Sequence, residues 1–187
     1  MQKIAVLASH NGSGFDAIYN AIKTKKLPLE IVLVISNNTN AKVLQKAKTA
    51  NIPYFLINAK QYKNPDEKIE ELLLSHKVKY IFLSGYMKKI PKKIIQTFTI
   101  LNSHPSLLPK YGGVGMYGRY VHEAVLHNHE AISGVSIHYV DEVYDSGKII
   151  LQKELAITQV ETIETLEKRI KVLERSAIVE GLLICLK

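Results

Sequence analysis

The sequence predicts an α/β fold, a parallel sheet covered by helices on both faces, and three observations predict it. Short β-rich apolar runs alternate with stretches of helical apolar spacing through the first hundred residues. The runs are apolar at nearly every position, as strands buried on both faces must be. Turn residues separate the two kinds of segment. Residues 3–8 form the first strand, followed by Ser-His-Asn-Gly-Ser-Gly and a helix over 15–22. Strands at 30–36, 54–57 and 80–84 then alternate with helices at 41–50 and 65–76. A short helix over 91–98 leads into a strand at 100–102, and residues 103–118 are too irregular for any element. After a helix at 119–127, two strands at 134–140 and 148–155 flank the turn-rich 141–147. A helix from about Thr162, apolar at 163, 166, 170, 173 and 177, closes the chain.

The 187 residues, 47% of them apolar, suffice for one core without disulfides or metal. The lone Cys185 excludes a disulfide framework and a cysteine-rich zinc site, so the cell interior, the cytoplasm, is expected. The aliphatic run 31–35 is far short of the roughly 20 residues of a membrane span. The first residues read as a structural element and not as a secretory leader. Charge is unevenly spread: residues 1–93 hold 16 lysines against 6 acids, while the remainder is slightly acidic. That asymmetry raises nucleic acid, a membrane surface or anionic small molecules as partners. The excess is almost all lysine, with no arginine before Arg119 and no aromatic residues interleaved with it, which argues against nucleic acid.

Gly12, Ser13 and Gly14 lie between the first strand and first helix, where free N–H groups and the positive helix end favour an anion. A phosphate, a purely structural turn and a dinucleotide all fit the spacing. The dinucleotide reading wants an acid near the end of the second strand, where this chain has Ser36-Asn37-Asn38. A second glycine match, 113–118, follows a loop and reads as a flexible or substrate-covering segment.

Asn102 and His104 stand just past a predicted strand end, in the middle of the parallel sheet, where open α/β sheets place their chemistry. Two residues apart on an extended chain, they face one way while Ser103 faces the other. Together they suit a developing oxyanion, or they merely cap the strand. The turn at 141–147 offers Asp141, Glu142 and Asp145; a carboxylate near His104 is expected to raise its pKa and hold it protonated. His122, His127 and His129 lack metal-ligand spacing and read as a solvated helix end, His138 as one of the alternating strand positions, and His10 as a neighbour of the glycine loop. Glu174, beside the apolar stripe of the last helix, reads as a surface acid or a partner for a cationic group.

Asn11-Gly-Ser13, Ser84-Gly-Tyr-Met87, Asn102-Ser-His-Pro-Ser-Leu-Leu-Pro-Lys110 and the run 134–147 occur in the order and spacing of a known family. Over nearly its whole length the chain resembles the folate-dependent formyltransferases, in particular those that formylate glycinamide ribonucleotide in purine synthesis. The resemblance implies a single Rossmann-like domain over 1–187 with an antiparallel C-terminal addition. Its phosphate-binding half would be about 1–100 and its catalytic and folate-binding half about 101–187. It implies that Gly12, Ser13 and Gly14 hold the substrate phosphate and Glu174 its ribose or glycinamide end. Met87, Lys88, Lys89, Ile90 and Asn102, with Asp141, Glu142, Val143, Tyr144 and Asp145, would line the pocket for 10-formyltetrahydrofolate. Asn102, His104 and Asp145 would be catalytic. No metal, membrane or nucleic-acid partner is implied, and the oligomeric state is left between monomer and homodimer.

The sequence departs from the family pattern at three places. Gly14 stands where Asn is usual, Lys88 where Arg is usual, and the segment 111–120 is longer and richer in glycine. Formylation of another amine, on a sugar nucleotide or methionyl-tRNA, is the rival activity; a tRNA enzyme normally carries a further nucleic-acid-binding domain. A lysine-rich nucleic-acid-binding module is the rival from another class.

Overall fold

A computed structural model describes residues 1–187. The chain runs β1 (Gln2–Leu7), α1 (Ser13–Lys23), β2 (Leu29–Ser36), α2 (Lys42–Thr49), β3 (Tyr54–Leu56), α3 (Pro65–Ser75) and β4 (Tyr80–Leu83). It continues through α4 (Lys92–Thr97), β5 (Thr99–His104), α5 (Arg119–His127), β6 (Ile132–Tyr139), β7 (Ile149–Ala156) and α6 (Ile163–Cys185). Every element expected from the sequence is present, with ends displaced by a residue or two. The seven strands are ordered β3-β2-β1-β4-β5-β6-β7. The chain divides into two compact units, Met1–Leu101 and Asn102–Lys187.

In the first unit β1 pairs in parallel with β2 and β4, and β2 with β3. The strand interiors, including Ile4, Leu7, Leu33, Ile35, Ile81 and Phe82, are fully buried, as their unbroken apolar runs predict. The chain steps outward from β1 to β2 to β3 and then returns past β1 to β4. With right-handed crossovers, that reversal puts α1 and α2 on one face and α3 on the other. It also parts the loops leaving β1 and β4, which makes the carboxyl ends of these two strands the switch point at which such sheets bind ligands.

In the second unit β6 and β7 pair antiparallel, with Gly134 opposite Glu154 and Ser136 opposite Gln152. Helix α6 begins at a reciprocal cap between Thr162 and Thr165 and buries Leu166, Ile170, Ala177, Ile178 and Leu182. Its Gly181 lets helix and strand close up: a Cβ there would lie 2.7 Å from Cγ2 of Ile137. The main departure from expectation is β5. It runs through His104, so Asn102 and His104 lie on the strand and not beyond it. Their polar side chains hide the strand from apolar periodicity, and Pro105, which has no N–H for the ladder, ends it.

Candidate active site

The second unit gathers its polar side chains around Asp145. One carboxylate oxygen lies 3.4 Å from Nδ1 of His104 and the other 3.5 Å from Nε2 of His138. Both rings are almost wholly buried. Nδ1 of His138 donates to the carbonyl of Tyr139 (2.8 Å), which leaves Nε2 to accept from Nδ2 of Asn102 (3.1 Å). An amide nitrogen carries two protons, so Asn102 is anchored by one and keeps the other for a substrate oxygen. The strand alternation expected at 102–104 holds: Ser103 points the opposite way and donates to Glu174 on α6 at 2.5 Å.

Nε2 of His104 lies 2.6 Å from the carbonyl of Tyr111, and a carbonyl only accepts, so Nε2 carries the proton. The rise expected from the Asp145 pairing is present but outweighed. Burial pushes the His104 pKa down, outweighing Asp145 and the Tyr111 carbonyl, which raise it, while His138 lowers it further. Both ring nitrogens thus face acceptors, Nδ1 the Asp145 carboxylate and Nε2 the Tyr111 carbonyl. Burial pushes the Asp145 carboxyl up, but the His138 and His104 rings and the Gly113 N–H together hold it below the usual carboxylate range. Glu174 goes the other way: burial raises it, and the Ser103 hydroxyl offsets only part.

The glycine-rich segment after Lys110 is pinned at its start. Besides the Tyr111 contact, the Gly113 N–H donates to Asp145 Oδ2 at 2.9 Å. Gly112 lies so close that a Cβ would meet Leu108 at 2.5 Å and Asp145 at 3.2 Å. Further on, Gly115 and Gly118 have positive φ and open space around them. Residues 106–108 are held from behind: Ser136 Oγ donates to the Ser106 carbonyl and accepts from Leu108 N–H and Gln152.

In the first unit, Gly12 caps α1 at φ 65 and has no side chain to offer the first-turn N–H groups. A Cβ on Gly12 would lie 2.5 Å from Val43, so both φ and the approach of α2 require glycine. Gly14 serves differently. Its N–H donates to Ser84 Oγ at 2.9 Å and its missing Cβ makes room for Phe82, so its own amide is already engaged. The segment after β4 is tied to the same loop, since Met87 N–H donates to Ser9 Oγ at 2.7 Å. Met87, Lys88 and Lys89 are exposed, whereas the Ile90 side chain is in the core.

In the turn between β6 and β7, Asp141 accepts from Val143 N–H and Ser146 Oγ, which shapes the turn and leaves Val143 and Tyr144 exposed. Asp145 itself adopts φ 57, a conformation that Asp tolerates better than most residues. Gly147 must be glycine, for a Cβ would lie 1.8 Å from the Tyr139 carbonyl.

Two histidines differ from their sequence reading. His138 belongs to the cluster; the signal for it was the period-two series Gly134, Ser136, His138, three positions on one face of β6. His122 is buried, not solvated; its Nδ1 has no partner, and burial pushes its pKa down.

A part-buried carboxylate between two buried imidazoles, beside an asparagine amide on a sheet strand, has the donors that could stabilise an oxyanion in group transfer. The Formyl transferase family matches residues 2–182, and the chain belongs to that family. It is similar to the phosphoribosylglycinamide formyltransferase of Bacillus subtilis strain 168, 38% identical over 93% of this chain and 89% of the relative. The enzyme of the same name from Haemophilus influenzae is 40% identical over 90% of this chain and 80% of the relative. The crystal structure of glycinamide ribonucleotide transformylase 1 from Geobacillus kaustophilus superposes with TM-score 0.90 at 32% identity, covering all of both chains.

Proposed function

We propose that this chain transfers the formyl group of 10-formyltetrahydrofolate to the amine of 5-phosphoribosylglycinamide. The products are formylglycinamide ribonucleotide and tetrahydrofolate, a step of de novo purine (IMP) biosynthesis. The observation that carries the reading is the Asn102–His138–Asp145–His104 cluster, in a chain whose relatives bear that enzyme's name.

The amine attacks the formyl carbon and the carbonyl oxygen becomes an oxyanion. We assign it two donors, the second N–H of Asn102 and the Nε2–H of His104 once that leaves the Tyr111 carbonyl. A neutral imidazole is a competent donor, so the lowered pKa of His104 does not remove it from this role. As the carbon–nitrogen bond to the folate breaks, His104 gives its Nε2 proton to the leaving nitrogen and regains one from the attacking amine. One proton leaves the amine and one arrives on the folate, so the ring ends as it began. Asp145, held as a carboxylate, fixes the ring's orientation and stabilises any charge it gains in passing.

Gly12 and Ser13 offer backbone N–H groups to the substrate phosphate, with Gly14 keeping the loop's shape, and Glu174, on the Ser103 side of β5, takes the ribose. We assign Met87, Lys88 and Lys89 to the folate, with Ile90 anchoring their segment in the core, and separately the turn 141–145. The single cysteine supports a reducing compartment such as the cytoplasm, and no helix is long and apolar enough to cross a membrane. The test is a formyl-transfer assay with glycinamide ribonucleotide beside an amino-sugar nucleotide and methionyl-tRNA. Turnover is expected with the first; preference for either of the others overturns the assignment.

A further inference from the structure

Three consecutive carbonyls of the loop after β1 are captured from one direction. Asn38 Nδ2 donates to the Ser9 carbonyl at 3.1 Å, the Val43 N–H to His10 at 3.2 Å, and Lys46 Nζ to Asn11 at 2.7 Å. All three donors belong to the segment from the end of β2 through α2. In a trans peptide the N–H points opposite to the carbonyl before it. Drawing the carbonyls of Ser9, His10 and Asn11 toward α2 therefore turns the N–H groups of His10, Asn11 and Gly12 the other way. None of those three donates to another group of the protein. The Ser13 N–H, in the uncapped first turn of α1, adds a fourth open donor.

Lys46 does two things at once. Besides the Asn11 carbonyl it holds Asp16 Oδ2 at 2.5 Å, joining α2 to the first turn of α1 across the outside of the loop. A carboxylate in that turn would by itself compete with an anionic ligand for the helix end; paired with Lys46 it is neutralised. The Asn11 peptide is the last before the left-handed Gly12, so the Lys46 bond sits where the chain turns into the helix.

We infer that Lys46 is a positioning residue for phosphate recognition, fixing the Asn11–Gly12 peptide so that its N–H faces the ligand and cancelling the charge of Asp16. The inference rests on the proposed function only in naming the phosphate as part of the amine substrate. Lys46→Met is expected to raise KM for glycinamide ribonucleotide about tenfold or more, the size of a lost charged hydrogen bond, with kcat falling less than KM rises. With the same amine lacking its phosphate, wild type and variant are expected to have equal kcat/KM, and Lys46→Arg is expected to restore most of the loss. An unchanged KM, or an equal loss on both amines, overturns the inference. If the wild type does not formylate glycinamide ribonucleotide at all, the functional reading falls and the clasp is judged by calorimetry with inorganic phosphate. Weaker phosphate binding by Lys46→Met then supports it, and equal binding by both proteins overturns it.

Discussion

The loop after β1 and the cluster around Asp145 handle charge in opposite ways. The loop is made of backbone: open N–H groups, one left-handed glycine, and side chains that stay outside and pull on carbonyls. The cluster is made of side chains, its two imidazoles buried and one carboxylate beside both. Backbone dipoles cannot change protonation, so the loop's affinity depends on its shape and on the Lys46–Asp16 pair beside it. The cluster's work depends on where protons sit, and burial and neighbours set that.

Predictions can be ranked by how hard they strain this contrast. His104→Ala should cost about a hundredfold or more in turnover by removing both a donor and a proton carrier, while calorimetry should find the phosphorylated amine still bound. Near-normal turnover would dissolve the side-chain half of the comparison. Asp145→Asn comes next. Since Asp145 raises the His104 pKa against burial, its neutralisation should lower that pKa further, visible as a displaced NMR titration. An unmoved titration would break the pair. Gly12→Ala should act on the other region, raising KM for the phosphorylated amine and lowering stability by about 1–3 kcal/mol, from φ and the Val43 contact together. If kcat alone falls, the loop is not a binding element. The smallest effect is on pH stability. The His104 pKa is lowered in the folded state, so the stability it contributes is present above the ordinary value of 6.5 and is lost as pH falls below it. His104→Gln should lose less thermal stability over that range than the wild type, by melting curves at stepped pH.

The two regions also differ in how much of them can be read without coordinates. Gly12 announced its turn because only a few residues adopt positive φ. Nothing about Lys46 set it apart from the other lysines of the first half, because its role depends on where α2 brings it. Asn102, His104 and Asp145 were legible as residue types at suggestive places. The downward push on the His104 pKa was not, because burial is a property of the packed unit and in the sequence only the attractive carboxylate was visible. His138 was hidden for a related reason: a histidine alternating with apolar residues looks like any strand position until its neighbours are known. The end of β5 was missed because periodicity detects apolar alternation, and Asn102, Ser103 and His104 have none.

The left-handed backbone at Asp145 acts as a filter on what the position can become. Asparagine and aspartate accept this conformation at low cost, glycine at none, and bulkier or branched residues poorly. A saturation library at residue 145 should therefore divide twice, once by whether the chain folds and once by whether it transfers a formyl group. Asparagine is the informative member, because it passes the first sieve and meets only the second.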